Sequence, residues 1–446
     1  MVNIEGKKIT VLGAVRSGLG AAKLAKAMGA IPFVSDISLE QDLEESLLIL
    51  NESGIAFEHS GHTEKVSDCD FMITSPGVPS TSPVLVEAKK KGIKVISELE
   101  FAFWFCKGAI IGITGTNGKT TTTSLLAHVI NQSGRKCFLA GNVGVAFSEV
   151  VLDVKEEDYV ALEISSFQLD HIECFKPAIS MILNITPDHL DRYENDYNKY
   201  KLAKTKIAAN QNGSDKFVYN VDDREIPITI INDMVEKYQF STKFKLDKGS
   251  YLLDNNFYFN NEKVCSTSDL TIMGEHNFAN ALAVLNAVKL NGLSNEEIKK
   301  GFSTFVAVEH RMEMVRVHND VEYINDSKAT NVDSVWYALR SYDKPIYLIL
   351  GGKDKGNDYN KIKQLVAARV MKIYAIGSSA DKVYNFFNKI VDVEKLETLE
   401  DTVNKARNEA KKNTVVLLSP ACASFDMFKS YEHRGKVFKE AVRNLN

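Results

Sequence analysis

Short apolar runs that end in glycine-rich polar turns recur along this chain, and most are followed by a stretch of helical composition. Lys8-Ile-Thr-Val-Leu-Gly-Ala14 reads as a strand closing on Gly13, Ser17 to Met28 as a helix, and Ile31-Pro-Phe-Val-Ser-Asp36 as a second strand with an acidic end. Asp70 to Thr74 is a further strand that stops in a Ser75-Pro-Gly77 turn, and Lys94 to Glu98 is another. The aromatic stretch Phe101-Ala-Phe-Trp-Phe-Cys106 suits core or interdomain packing better than a binding box. Ile110 to Ile113 then reads as a buried strand that breaks at Thr114-Gly-Thr-Asn-Gly118 before a helix running from Lys119 to about Gln132, where Ser133-Gly134 stops it. Asp158 to Glu163 and Ile179 to Asn184 repeat the pattern. The second of these opens into the polar cluster Ile185-Thr-Pro-Asp-His189-Leu-Asp-Arg-Tyr193, ahead of an amphipathic helix with Lys199, Lys201, Lys204 and Lys206. His276 and Asn277 stand at the start of a strong helix. Val321 to Asp326, Ile346 to Lys355, Lys372 to Gly377 and Val415 to Asp426 are later strand-then-loop units.

Strands alternating with helices predict parallel sheets whose loops share one edge. The expected fold is α/β in three domains: an N-terminal Rossmann-like domain over residues 1–106, a central P-loop ATPase-like domain with a mostly parallel sheet over 107–306, and a C-terminal Rossmann-like domain over 307–446. A chain of 446 residues is too long for one core, which agrees with that count. Hydrophobic content of 44% and charged content of 25% describe a globular protein. A net charge of −4 without a dense Lys/Arg tract argues against nucleic acid as a partner. The longest apolar region, Phe101 to Ile113, is broken by Lys107 and too short for a membrane span, and the N-terminus lacks a signal-peptide core. A cytoplasmic location follows as the expectation. The six cysteines are scattered and read as packed thiols.

The chemistry concentrates at Thr114 to Thr120. Glycines let successive N–H groups face one anion, the helix end adds positive potential, Lys119 reaches outer phosphates, and the Thr120 hydroxyl suits Mg²⁺. The strict G-x-x-x-x-G-K-[ST] pattern fails at Ile113, with Gly112 and Gly115 on either side. Glu163, at the exit of a neighbouring strand, stands where a Mg²⁺ ligand is needed, or is simply an exposed strand end. In the first segment G-x-G-x-x-G is broken by Val15. That suits a nucleoside diphosphate on the helix end with Asp36 near its base or sugar, or a plain glycine turn. Taken singly, His189 reads as a hydrogen-bonded turn residue and each lysine of the following helix as solvent-facing.

Together these segments resemble the Mur ligase family. Gly115-Thr-Asn-Gly-Lys-Thr120 is similar to its ATP loop, which accounts for the misfit at Ile113; Leu162 to Leu169, Asn184 to Tyr193, Ile324 to Asn331 and Leu417 to Ser424 are similar to its other blocks. The resemblance implies an ATP-dependent ligase that adds D-glutamate to UDP-N-acetylmuramoyl-L-alanine through an acyl phosphate, in peptidoglycan precursor synthesis. It implies an ATP site of Gly115, Thr116, Asn117, Gly118, Lys119, Thr120 and Thr121 with Asn277, Arg311 and Asp326. Two Mg²⁺ sites are implied, drawing on Thr120, Glu163, His189 and Lys204, with Lys204 carbamylated by CO₂ into an anionic oxygen ligand. Lys119, His189 and Lys204 are the implied catalytic residues. Arg16, Ser17, Asp36, Gly77 and Asn142 would hold the UDP-sugar, and Lys328, Thr330, Lys355, Ser424 and Phe425 the D-glutamate. The three domains would then bind UDP-sugar, ATP and amino acid in turn, in a monomer whose partners are small molecules, without nucleic acid or membrane. Another Mur ligase, a folylpolyglutamate synthase-like ligase and a nucleotide-binding regulator are the alternatives.

Overall fold

The computed structural model describes residues 2–142, 144–306 and 309–445, apart from the Asp191 side chain. The chain divides into two compact units: Met1–Leu270 with Asn277–Phe305, and Thr271–His276 with Val306–Asn446. The expected boundary between 306 and 307 runs into Ala307 and Val308, which lie outside the described residues.

The first unit holds two sheets. Strands β1 (Lys8–Leu12), β2 (Ile31–Ser35), β3 (Ala56–Glu58), β4 (Phe71–Thr74) and β5 (Lys94–Ser97) form a parallel sheet in the order β3-β2-β1-β4-β5. Because β1 lies between β2 and β4, the turns after these three strands meet at one edge. The second sheet comprises β6 (Ala109–Thr114), β7 (Cys137–Gly141), β8 (Tyr159–Glu163), β9 (Ile179–Ile182), β10 (Lys216–Asn220), β11 (Glu236–Ser241), β12 (Gly249–Leu253), β13 (Asn256–Phe259) and β14 (Glu262–Ser266). Its order is β14-β13-β12-β11-β10-β9-β6-β8-β7, parallel from β7 through β12 and antiparallel beyond. The antiparallel edge follows from Asp254-Asn255 and Asn260-Asn261, whose positive φ values make the two-residue turns that join neighbouring strands.

One apolar cluster runs through both sheets, from Ile9 and Val11 through Leu99, Phe101 and Phe105 to Phe147, Phe175 and Ile182. The aromatic stretch expected to pack does so: Phe101 meets Phe71, Trp104 and Phe105, and Phe103 meets Phe175. A buried carboxylate ties the same region. Glu100 accepts the backbone N–H groups of Glu173, Cys174 and Phe175 at 2.8–3.1 Å and the Trp104 indole N–H at 2.8 Å. Glu100→Ala orphans these donors, each worth about 1–3 kcal/mol when buried and unpaired. A stability loss of at least about 3 kcal/mol is expected, read as a lower urea midpoint.

In the second unit β15 (Glu313–His318), β16 (Val321–Asn325), β17 (Ile346–Gly351), β18 (Val370–Ile376), β19 (Asp392–Lys395) and β20 (Thr414–Leu418) form a sheet in the order β15-β16-β20-β17-β18-β19, parallel except for β15. Parallel β16, β20 and β17 bring the loops 326–331, 419–426 and 352–359 to one edge. Among the described residues no helix is long and apolar enough to cross a membrane. Five of the six thiols are buried or half-buried, and burial pushes those of Cys137 and Cys265 up to about 12; Cys174 is exposed.

Candidate active site

The phosphate loop leaves β6, which lies between β8 and β9, so these neighbours deliver Glu163 and the segment from Asn184 to the same edge. Gly118 caps the helix Lys119–Gln132 in the left-handed region at φ 83°, where a side chain would be strained and its Cβ would come 2.3 Å from Asn280 Oδ1. The loop is held from β9: Thr116 N–H donates to Asn184 O, Asn117 N–H to Asn184 Oδ1, and Asn184 Nδ2 back to Asn117 O at 2.8–3.0 Å. The Thr116 hydroxyl donates to Thr186 O at 3.0 Å and lies 3.1 Å from the Tyr200 hydroxyl. Lys119 Nζ donates to Gly115 O at 2.8 Å and Thr116 O at 2.9 Å, so its charge rests on the loop that would cradle phosphates.

Lys204 is not a solvent-facing lysine. It is 2% exposed on the helix Tyr197–Thr205, donates from Nζ to Gly115 O at 2.8 Å, and lies over the Tyr200 ring. Burial, and then the charge of Lys119, hold its ammonium well below the ordinary lysine value, against the opposite pull of Asp188 and Glu163. Nor is Glu163 an exposed strand end: it is 1% exposed, Oε1 accepts from Asn142 Nδ2 at 3.0 Å, and Oε2 has no hydrogen-bond partner among the described residues. A buried carboxylate oxygen left open in this way fits a cation. His189, at φ 52°, lies with Nε2 3.6 Å from Asp188 Oδ2 and its ring against Phe167. Among the described residues no three His, Cys, Asp or Glu side chains form a ready metal cage. Asn277 is buried on the helix Glu275–Leu290, its Oδ1 3.4 Å from the Nδ2 of Asn280, the residue beside Gly118.

A cavity of about 620 Å³ opens at the edge of the first sheet. Arg16, Ser17, Asp36, Gly77 and Asn142 all line it, as do Ile37, Ser38 and His62. Asp36 shapes the glycine turn: Oδ2 accepts from Ala14 N–H at 2.7 Å and Oδ1 from Ser38 N–H at 2.8 Å. Arg192 reaches from the His189 segment to the carbonyls of Pro76 and Val78 at 3.3 and 3.4 Å.

In the second unit Asp326, Lys328 and Thr330 follow β16, Ser424 and Phe425 follow β20, and Lys355 follows β17. Ser424 is buried, Lys355 is exposed, and Phe425 is 69% exposed. Buried Arg434 clasps two of these loops, donating to Ser327 Oγ, Ser327 O and Cys422 O at 2.7–3.1 Å. Asp326 accepts from Ser419 Oγ and Met312 N–H; burial pushes its carboxyl up to about 6, against the pull of Arg311. Burial and Arg311 pull His276 down to about 3.

Asp188, Asn184, Tyr200, Asn280 and Arg434 lie beside the candidate residues or hold their loops, and motif reading passes over them. Asp188 is adjacent to His189 in the same polar cluster, and Asn280 is three positions from Asn277 on one helix face, so both carried a signal. Arg434, in the helix Tyr431–Arg443, carried none.

The fold and this set of loops are those of a ligase family. The Mur ligase middle domain matches residues 113–288, the Mur ligase glutamate ligase domain residues 310–422, and the MurD N-terminal domain residues 21–84. The chain belongs to the Mur ligase family. It is 41% identical over 456 residues to the "UDP-N-acetylmuramoylalanine--D-glutamate ligase" of Salinibacter ruber, covering 99% of each chain. Its identity to the Christiangramia forsetii protein of the same name is 43% over 447 residues, covering 99% of this chain and all of that one. Among solved structures, a UDP-N-acetylmuramate-alanine ligase from Thermotoga maritima shares the fold at TM-score 0.65 and 19% identity, over 98% of this chain and 99% of that one.

Proposed function

We propose that this chain is the ATP-dependent ligase that joins the amino group of D-glutamate to the carboxylate of UDP-N-acetylmuramoyl-L-alanine, releasing ADP and phosphate, in peptidoglycan precursor synthesis. The observation that carries this reading is the meeting of a phosphate loop, an open buried carboxylate oxygen and a buried lysine amine at one sheet edge, in a chain whose full-length relatives bear that ligase's name.

The acceptor carboxylate attacks the γ-phosphorus of ATP, forming a C–O–P link while the bridge to the β-phosphate breaks and ADP leaves. The D-glutamate amine then attacks the acyl carbon, loses a proton, and expels phosphate to leave the amide. Lys119 and the loop N–H groups from Gly115 to Thr121 face the phosphates and oppose the charge gathering on the transferring group. Glu163 and Thr120 would hold one Mg²⁺, and His189 with a carbamylated Lys204 a second. Bound Mg²⁺ supplies charge neutralisation of the phosphates. Lys204 supports the carbamate because burial favours its neutral amine: the nitrogen bonds to the carbon of CO₂, one proton leaves, and an anionic oxygen donor results. Arg16, Ser17, Asp36, Gly77 and Asn142 hold the UDP-sugar, and Asp36 also shapes their turn. Lys328, Thr330, Lys355, Ser424 and Phe425 receive D-glutamate. Asn277, Arg311 and Asp326 contact the nucleotide, Asp326 through ribose hydroxyls. The enzyme acts in the cytoplasm, as a monomer.

ADP release measured with UDP-N-acetylmuramoyl-L-alanine and a panel of D-glutamate, L-glutamate, L-lysine and L-alanine tests the reading. Stimulation by D-glutamate alone sustains it; preference for another amino acid, or a flat response, overturns it. A pH dependence also follows. Asp326 accepts hydrogen bonds with both oxygens only when ionised, and its carboxyl titrates near 6, so KM for ATP is expected to rise as pH falls below about 6. Asp326→Asn should remove that rise, leaving KM high throughout.

A further inference from the structure

The phosphate loop owes its shape to the chain beside it. A turn built on Gly115 and Gly118 has little stiffness, so its hydrogen bonds to Asn184 and Thr186 set where its N–H groups point. That segment is a strand end with support on one side. Toward β6 the bonding continues past the last paired residues, Thr114 and Ile182: Leu183 N–H donates to Thr114 O at 3.0 Å and Thr116 N–H to Asn184 O at 2.9 Å. Toward β10 the ladder stops at Ile182 and Tyr219. Ile185 lies beyond its reach and is 0% exposed, where unpaired backbone groups are costly.

Two side chains satisfy them. Asp223 Oδ2 accepts from Ile185 N–H at 2.7 Å, and the Tyr197 hydroxyl donates to Ile185 O at 2.8 Å. Asp223 is itself held. Its N–H donates to Asn220 O at 3.3 Å, at the end of β10, and its Oδ1 accepts from Glu225 N–H at 2.9 Å. The adjacent Asp222 ties the same turn to the end of β11, accepting from Ser241 Oγ at 2.6 Å and Thr242 N–H at 2.8 Å. Glu225 pairs with Lys201 Nζ at 3.2 Å, and Lys201 lies over the Tyr197 ring. The turn after β10 and the helix Tyr197–Thr205 thus close on the N–H and the C=O of one residue. Because Asn184 and Thr186 flank Ile185, a shift there passes to Thr116 and Asn117.

We propose that Asp223 is a positioning residue for the nucleotide: it takes the place of a neighbouring strand, fixes Ile185, and through Asn184 sets the loop whose N–H groups receive phosphate. It acts through Ile185, not by contact with phosphate. The bond from Ile185 needs an acceptor and no charge, so an amide oxygen serves as well as a carboxylate. This inference rests on the nucleotide reading of the loop and adds the residue that braces it.

The test is calorimetric titration of the full chain with ADP and Mg²⁺, and separately with UDP, for the unaltered protein, Asp223→Ala and Asp223→Asn, at a temperature where circular dichroism shows each of them folded. Asp223→Ala orphans Ile185 N–H and releases the loop, and ADP is expected to bind at least about tenfold more weakly, since a displacement of about 1 Å in a preorganised site costs up to about 10²-fold. Asp223→Asn keeps an oxygen for Ile185 while the exposed Glu225 turns its N–H to water, so ADP should bind within about threefold of the unaltered protein. UDP, taken at the first sheet, should bind all three alike. In the unaltered protein the Ile185 amide proton should be strongly protected from hydrogen exchange, a readout that needs no variant. A rapidly exchanging Ile185 amide there, ADP binding undiminished in Asp223→Ala, no recovery in Asp223→Asn, or an equal loss for UDP overturns this inference alone. Failure of the unaltered protein to bind ADP at all overturns the ligase reading with it.

Discussion

Lys119→Ala is expected to lower kcat for ADP release by about 10²–10³-fold or more, the range set by removing one preorganised group that faces developing charge. Lys119 is placed for this by the fold: its Nζ sits on Gly115 O and Thr116 O, inside the turn whose N–H groups would receive the phosphates. The loop itself is anchored elsewhere, by Asn184 and Thr186, so the truncation should leave its backbone in place and the melting temperature within a few degrees. Lys119→Arg keeps the charge but brings a broad planar fork into a space shaped for a point charge, and should recover little. Steady-state ADP release with both substrates checks this; turnover within tenfold of the unaltered protein would remove the role given to Lys119.

Lys204→Ala is expected to cost a comparable factor through a different cause. The amine is buried beside Gly115, and its ammonium is disfavoured there first by burial and then by Lys119. The sign follows: lowering the folded value raises the fraction of neutral amine at pH 7, and only the neutral amine combines with CO₂. A surface lysine, charged at that pH, would not. The alanine variant therefore lacks an anionic oxygen donor, and a small carboxylate such as acetate, at high concentration, should restore part of the activity by filling the space. Labelled bicarbonate should give a carbamate carbon signal in the unaltered protein that is absent from the variant. Full turnover of Lys204→Ala without additive, or no carbamate signal in active protein, would sink this assignment.

Much of the architecture was legible because strand-turn-helix units announce themselves by composition. The phosphate-loop helix begins at Lys119 and ends at Gln132, with Gly134 beyond it in the left-handed region, as the Ser-Gly stop signal implied. The hairpin edge of the second sheet was passed over, although Asp254-Asn255 and Asn260-Asn261 are typical two-residue turn pairs. Residues 1–106 and the second sheet share one compact unit because Glu100 and its aromatic neighbours join them through packing between positions about seventy residues apart, which no local pattern reveals. At the site the same division holds. Gly118, Lys119 and Glu163 stand at positions their motif requires. Lys204 looks like any helix-surface lysine until burial is known, and Asp36 gives no sign in the sequence that its two oxygens also hold the backbone N–H groups of Ala14 and Ser38.

Asn142 lines the cavity of the first sheet while its side-chain amide holds Glu163 Oε1 and its backbone N–H donates to Glu163 O. For inhibitor design this makes it a preferred anchor. A compound that fills the cavity and bonds to Asn142 contacts a residue with little freedom to change: aspartate there would set a second negative charge against Glu163, and a hydrophobic replacement would leave another buried oxygen open. Resistance by substitution at that contact should carry an immediate loss of turnover.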